Sequence, residues 1–113
     1  METNKEVIIF ICNYGFGTDA MIEARKAGAS GGTLIHGRSS LEQGKQSFFG
    51  ITINPEKDLL MIVCLEEIRA NIMKAINAAY GPSTDAHGIC FSMKVTDTLG
   101  MNFEAKPFLQ ESK

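Results

Sequence analysis

The chain has 113 residues, of which 44% are apolar, and its formal net charge is −2. This length fits one domain, residues 1–113, because two cores of half that size would each be marginally stable. The apolar content argues against disorder, and the near-neutral charge excludes a broad basic surface for nucleic acid or anionic lipid, so we expect no nucleic-acid partner.

The first half of the chain opens with a β-branched, apolar run over residues 6–13, which is typical of a buried strand. A glycine-containing break follows it. We then predict a helix that is capped by Thr18, carries Asp19 in its first turn and ends at Gly28. Residues 33–36 predict a second strand.

Residues 37–47 are polar and show no periodicity, so we interpret them as a mobile loop. Residues 48–53 alternate in hydropathy, residues 54–57 are a turn signal, and residues 58–65 form a second apolar run. This pattern predicts a hairpin in which 48–53 pairs with 59–65.

A second helix is predicted to begin at Glu66 and to end before Gly81 and Pro82. Its apolar residues recur at helical spacing and form a core stripe: Ile68, Ile72, Ala75, Ile76 and Ala79. Residues 82–88 predict a polar loop, and residues 89–95 predict the last clear strand. The remaining residues, 96–113, are weakly patterned.

The order of elements is therefore β-α-β-β-α-β. This order predicts an α+β, ferredoxin-like sandwich, in which an antiparallel sheet carries two helices on one face. Several predicted strands are apolar on both sides. We therefore expect the uncovered face of the sheet to meet another subunit in an oligomer.

Cys12, Cys64 and Cys90 lie within apolar runs, and no two of them have C-x-x-C spacing. We interpret them as reduced thiols of the core. Reduced cysteines, and an apolar run near the N-terminus that is too short for a signal peptide, predict a cytoplasmic protein.

Two polar loops carry candidate ligand-binding residues. The segment His36–Ser40 brings an imidazole, a guanidinium and hydroxyl groups to the end of a strand, and Arg suits phosphate because its fork is bidentate. The segment Gly81–Gly88 could turn backbone N–H groups toward an anion, with His87 nearby. Neither segment has the spacing of a phosphate-binding motif, and an ordinary solvated loop stays the alternative for both.

Other chemistries have weaker support in the sequence. His36, His87 and Asp85 could bind a metal ion, which would make the chain a metal-binding or metal-tolerance protein, but no ligand pattern specifies such a site. A small enzyme acting through a histidine would need a titratable partner for it, and the sequence names no convincing one. We therefore expect neither an enzyme nor catalytic or metal-ligating residues.

Several segments together resemble the PII family of nitrogen-regulatory signalling proteins, and more narrowly its PII-like branch. They are listed in chain order: Thr33–Arg38, Phe48–Ile51, Leu59–Glu66, the helix to Ala79, and His87–Val95. The resemblance spans residues 5 to 101. It implies a homotrimer of ferredoxin-like subunits that bind adenine nucleotides in the clefts between them.

The resemblance also implies roles for individual residues. Residues 37–47 correspond to the family's T-loop, 82–88 to its B-loop and 96–113 to its C-terminal segment. The implied ligand-binding residues are Thr33, Gly37, Arg38, Ser39, His87 and Gly88. The T-loop engages a target protein in that family, so the residues implied to contact a partner, a membrane transporter or a metabolic enzyme, are Leu41, Glu42, Gln43 and Lys45.

The sequence departs from the family pattern at its cations. Members that bind ATP tightly usually carry a lysine at the end of the B-loop and two arginines in the C-terminal segment. Here the B-loop ends in Gly88, and residues 96–104 contain neither Arg nor Lys. Each lost charge-assisted hydrogen bond removes about 1.5–3 kcal/mol of binding. The alternatives are therefore an adenine nucleotide (ATP, ADP or AMP) held without these cations, another small anion, or no ligand at all.

Overall fold

The computed structural model describes residues 4–38, 47–48, 51–52 and 56–101. Its elements, in chain order, are β1 (Lys5–Asn13), α1 (Gly17–Lys26), β2 (Thr33–Arg38), β3 (Ser47–Phe48), β4 (Ile51–Thr52), β5 (Glu56–Leu65), α2 (Glu66–Tyr80) and β6 (Ile89–Lys94). Within the described residues, no helix is both long enough and apolar enough to span a membrane.

The main sheet has the strand order β2-β5-β1-β6, and every neighbouring pair is antiparallel. Both helices pack on the same face of this sheet and against each other. This is the ferredoxin-like arrangement, so the predicted fold class is confirmed. The strands β3 and β4 pair only with each other, as a separate two-stranded sheet.

The core lies between the helices and one face of the sheet. Alternate residues of the central strands point into it, because side chains along a strand alternate between the two faces. These residues are Ile8, Phe10 and Cys12 in β1, and Leu60, Ile62 and Cys64 in β5, and all are at most 4% exposed. Ile72 and Ile76 of α2 are fully buried against them, which confirms the centre of the predicted stripe.

The opposite face of the sheet is also apolar, but no described element covers it. The register places nine apolar residues side by side there: Val7, Ile9 and Ile11 from β1, Leu59, Met61 and Val63 from β5, and Ile89, Phe91 and Met93 from β6. Ile89 is 59% exposed and Met93 is 53% exposed. We call these nine residues the open apolar face. A monomer rarely leaves so large an apolar surface in water.

Three predictions of local structure were wrong in detail. The second strand continues through Gly37 and Arg38, which were predicted to begin a loop. They pair with Lys57 and Glu56, which were predicted to lie in a turn but belong to β5. The predicted hairpin is also wrong, because β5 pairs with β1 and β2, whereas the described residues of 48–53 pair with β3 or β4.

The first helix begins at Gly17, two residues earlier than a Thr18 cap would require. Phe16 is the N-cap residue and makes no side-chain capping bond. The helix ends as predicted: Gly28 follows it with φ +117°, a left-handed conformation that favours glycine.

Candidate functional site

Four segments of the chain meet at one end of the sheet. At this end β1 finishes at Asn13, β2 finishes at Arg38, β5 starts at Glu56 and β6 starts at Ile89. We call it the loop end, because the loops that connect these strands leave the sheet there. Most of the polar residues singled out in the sequence lie at this end.

Asp58 is the buried polar residue of the loop end. It is 1% exposed and lies on the helix side of β5. Its Oδ2 accepts hydrogen bonds from the backbone N–H groups of Gly15 at 3.0 Å and Gly17 at 2.9 Å. Asp58 therefore caps the start of α1 from another strand, which explains why this helix has no capping side chain of its own.

The environment of Asp58 favours its charged form. Burial by itself would raise the pKa of the Asp58 carboxyl, but the hydrogen bonds from Gly17, His36 and Gly15 outweigh it and hold the pKa below the ordinary value of 3.8. Asp58 is therefore a carboxylate at neutral pH.

His36 is the cross-strand neighbour of Asp58. Its Nδ1 donates to Oδ1 of Asp58 at 2.6 Å. The ring of Tyr14 lies against the imidazole, with 5.0 Å between centroids and a tilt of 59°. The His36 side chain is 59% exposed. The ring is thus fixed from two sides, and Nε2 points away from the buried carboxylate.

Two further polar pairs join neighbouring strands at the loop end. Arg38 pairs with Glu56 across β2 and β5 at 2.9 Å, and the Arg38 side chain is largely exposed while that of Glu56 is about half exposed. On the other face, Lys57 Nζ donates to Asn13 Oδ1 at 2.8 Å. Asn13 Nδ2 in turn donates to the carbonyl oxygen of Asp85 at 3.0 Å, which ties β1 to the loop before β6.

The loop 81–88 uses most of its backbone donors internally. The N–H groups of Thr84, Ala86, His87 and Gly88 all donate to acceptors within this loop or to Tyr80. Those four groups therefore do not form the anion-binding nest that the sequence suggested. The side chain of His87 remains a candidate for ligand binding because it is exposed. Its Nδ1 donates to the Thr84 carbonyl at 2.7 Å, so Nε2 is the ring nitrogen available to a ligand.

Gly88 has a structural reason to be glycine. It is buried, and a Cβ added there would collide with Cζ of Phe10 and with the carbonyl oxygen of Tyr80. This packing leaves no room for a lysine at the end of the loop, the residue that the family pattern would place there.

The structure separates the predicted ligand-binding residues into two groups. Gly37 and Arg38 lie on the β2 edge of the sheet, whereas His87 and Gly88 precede β6 on the opposite edge. Three strand-to-strand steps separate the edges, about 14 Å at the usual spacing. The two groups therefore do not meet within one chain.

The remaining predicted residues have other positions. Thr33 begins β2, at the far end of the strand from Arg38. Ser39 and the predicted partner-binding residues Leu41, Glu42, Gln43 and Lys45 lie outside the described residues. The ligand and partner roles of all these residues stay predictions.

The alternative metal site is not assembled within one chain. His36 and His87 lie on opposite edges of the sheet, and the part of the chain that the structure describes contains no group of three His, Cys, Asp or Glu residues placed to hold a metal ion. Among the described residues, the geometry therefore does not support the metal-tolerance alternative.

Sequence reasoning missed Asp58 and Tyr14, the two residues that hold His36. In the sequence, Asp58 is only the first residue of the apolar run 58–65, and Tyr14 is only part of the glycine-containing segment that ends the first strand. Neither position indicates a contact with His36. A correct pairing of 33–38 with 56–61 would have placed His36 opposite Asp58. The missing signal was the strand register.

No protein-family model and no curated protein sequence matches this chain. Solved structures do match it. A protein of Thermus thermophilus assigned to PII-like signalling has 18% identity and a TM-score of 0.61, with 84% of this chain and 91% of that chain covered.

Two further structures match equally well. CPII from Thiomonas intermedia K12, bound to ADP, AMP and acetate, has 13% identity and a TM-score of 0.63, with 88% and 93% of the two chains covered. Arabidopsis thaliana PII bound to citrate has 16% identity and a TM-score of 0.63, with 87% and 81% covered. The chain has the PII-like fold. The resemblance seen in the sequence is thus confirmed at the level of the fold.

Proposed function

We propose that this chain is a non-enzymatic, PII-like regulatory protein. In this proposal it forms a homotrimer, binds an adenine nucleotide in the clefts between subunits and controls a partner protein through the segment 37–47. The observation that carries the proposal is the arrangement of the PII-like sheet, which has an uncovered apolar face and carries the candidate ligand residues on its two opposite edges.

The open apolar face supports the oligomer. Its nine residues come from three adjacent strands and include Ile89, Phe91 and Met93, which are all more than 40% exposed. Burial of apolar surface contributes roughly 25 cal/mol per Å². Contact with other copies of the same chain would remove this surface from water, and a homo-oligomer with closed symmetry is the usual way to do so.

The two edges of the sheet support a cleft between subunits. Arg38 and His87 lie at the same end of the sheet but on opposite edges. Packing subunits side by side around a common axis would bring the β2 edge of one chain near the β6 edge of the next. The two walls would then face each other, with Arg38 on one side and His87 on the other.

The charges favour a nucleotide with few phosphates. Arg38 is exposed and its partner Glu56 is about half exposed. Such surface pairs contribute only about 0.2–1 kcal/mol, so Arg38 can exchange its partner for a phosphate at little cost. Residues 96–104 supply no cation. We therefore propose AMP or ADP rather than ATP, consistent with the ADP and AMP bound in CPII.

The regulatory step would be a change in segment 37–47, whose first two residues are the last two residues of the strand that carries His36. A ligand that binds better to one arrangement of this segment would shift its population and so change its affinity for a partner. By family analogy, the partner is a membrane transporter or a metabolic enzyme.

The oligomer is tested by light scattering on the purified protein, in which we expect the mass of a trimer. Ile89→Asp, on the open apolar face, is expected to give a monomer. Ile22→Asp is the matched control, because Ile22 is 49% exposed on α1, on the opposite side of the molecule. The proposed interface would be contradicted if the Ile89→Asp variant remained a trimer. It would also be contradicted if the control variant Ile22→Asp became a monomer.

The ligand is tested by calorimetry with AMP, ADP, ATP and citrate. We expect AMP or ADP to bind more tightly than ATP, and Arg38→Ala to weaken nucleotide binding by about tenfold without dissociating the trimer. Arg25→Ala, an exposed arginine in the last turn of α1, is the control. No heat with AMP, ADP or ATP at millimolar concentration would refute the nucleotide proposal, whether or not citrate binds.

A further inference from the structure

We propose that Nε2 of His36 is an acceptor for a phosphoryl group, supplied by a small donor such as phosphoramidate or an acyl phosphate. This makes His36 a modification site at the root of segment 37–47. The proposal goes beyond the nucleotide cleft and does not rest on it.

The first argument is the tautomer of His36. A carboxylate oxygen only accepts hydrogen bonds, so the 2.6 Å contact with Oδ1 of Asp58 places a proton on Nδ1. In the neutral ring, Nε2 then carries the free lone pair. The side chain is 59% exposed and Nδ1 faces the buried Asp58, so the nucleophilic nitrogen is on the solvent side.

The second argument is the rigidity of Asp58. Its other oxygen accepts two backbone N–H bonds from the start of α1, and the residue is 1% exposed. The carboxylate therefore cannot turn away when the charge on the imidazole changes. The Tyr14 ring holds the other side of the imidazole. A histidine held by a third group in this way is the arrangement that activates imidazoles in nucleophilic sites.

The third argument is the position of Arg38. It is two residues beyond His36 on the same strand, and side chains at this spacing share a face of the sheet. Its guanidinium is largely exposed, and its only described ion pair is with the exposed carboxylate of Glu56. A guanidinium beside the imidazole would attract the phosphoryl oxygens of a donor.

The reaction is a displacement at phosphorus. The lone pair of Nε2 attacks the phosphorus atom and an N–P bond forms. The bond from phosphorus to the leaving group breaks, and the leaving group departs with the electron pair, as ammonia from protonated phosphoramidate or as a carboxylate from an acyl phosphate. The proton on Nδ1 stays in place, and the charge of Asp58 compensates the positive charge that develops on the ring.

His87 is an internal control for this chemistry. It is also exposed, and its Nδ1 also donates a hydrogen bond, so its neutral tautomer is the same. Its acceptor is the neutral carbonyl of Thr84 instead of a carboxylate. Any difference in reactivity between the two histidines therefore measures the contribution of Asp58 and its surroundings.

The test is to incubate the unmodified, nucleotide-free protein with phosphoramidate and to locate the product by peptide mass spectrometry. We expect His36 to be phosphorylated at least about tenfold faster than His87, which corresponds to about 1.4 kcal/mol in activation free energy. His36→Gln should abolish the fast phase, and His87→Gln should leave it unchanged. Equal rates at the two histidines, or no phosphohistidine at all, would overturn the proposal.

Asp58→Asn tests the role of the carboxylate. The Asn oxygen can still accept the Gly15 and Gly17 bonds, but its NH2 group would then donate to Nδ1 of His36 and move the ring proton to Nε2. We expect the fast phase to be lost while the protein stays folded by circular dichroism. If this variant does not fold, the comparison of His36 with His87 in the unmodified chain still decides the proposal.

Discussion

Asp58 and His36 lie directly opposite each other on β5 and β2, and one oxygen of the carboxylate accepts the Nδ1 proton of the imidazole at 2.6 Å. The second oxygen caps α1 through Gly15 and Gly17. One buried side chain thus joins the end of an edge strand to the start of a helix. Its removal is expected to affect both.

Asp58→Ala is expected to lower the free energy of unfolding by about 3 kcal/mol or more, because it leaves backbone N–H groups without an acceptor in a buried site. Denaturant unfolding followed by circular dichroism measures this. Asp85→Ala removes an exposed carboxylate and should change the stability by less than about 0.5 kcal/mol. Equal effects of the two substitutions would mean that Asp58 does not cap the helix.

The lowered pKa of Asp58 predicts acid sensitivity. A carboxyl group with a lower pKa in the folded state than in the unfolded state contributes stability above its unfolded value, here about 3.8, and loses it as the pH falls through the folded-state pKa. We therefore expect the stability difference between the unmodified protein and Asp58→Asn to be largest above pH 4 and to shrink at lower pH. The measurement is denaturant unfolding at several pH values. A difference that is independent of pH would contradict the assigned ionisation.

The packing around Gly88 predicts a strong effect of a single methyl group. Gly88→Ala places Cβ against Phe10 and the Tyr80 carbonyl, and is expected to destabilise the protein by about 2 kcal/mol or more. Gly31→Ala is the matched control, because nothing lies within 4 Å of a Cβ at that position. Thermal unfolding of the two variants is compared. Similar melting temperatures would show that the loop before β6 adapts easily.

The three cysteines are expected to be unreactive in the native protein. Burial, and to a lesser degree the charge of Asp58, raises the pKa of Cys12 to about 11, and burial raises the pKa of Cys90 to about 11. Burial and the nearby Glu6 carboxylate also raise the pKa of Cys64. A thiol pKa that lies about two units above the ordinary value of 9.0 reduces the thiolate fraction roughly 100-fold.

A disulfide reagent such as dithionitrobenzoate measures this at pH 8. We expect slow reaction of the native protein and rapid reaction of all three thiols in denaturant. The same result would support the interpretation of Cys12, Cys64 and Cys90 as free core thiols, which agrees with their placement in the structure. Rapid reaction of one thiol in the native protein would identify an accessible cysteine instead.

Much of the fold could be predicted because its signals are local. The run that forms β1 is apolar on both sides, the stripe of α2 repeats at helical spacing, and Gly28 ends α1 in a left-handed conformation. Each of these features depends on residues that are close together in the chain. Their order was sufficient to indicate the ferredoxin-like class.

The errors occurred where distant segments meet. Gly37 and Arg38 are strand residues only because Lys57 and Glu56 pair with them, and the start of α1 is set by a carboxylate on β5. Composition and spacing could nominate Arg38 and His87, but they could not place them on opposite edges of the sheet. His36 lacked a partner in the sequence for the same reason.

The sequence by itself thus determined the order of the main helices and strands, the apolar nature of both sheet faces and the polar residue types available for a site. The tertiary structure alone decided which of these residues meet. Hydrophobic periodicity depends on neighbours within one or two turns, whereas a cross-strand contact depends on register, and a shift of one residue would turn both His36 and Asp58 to other faces or other partners.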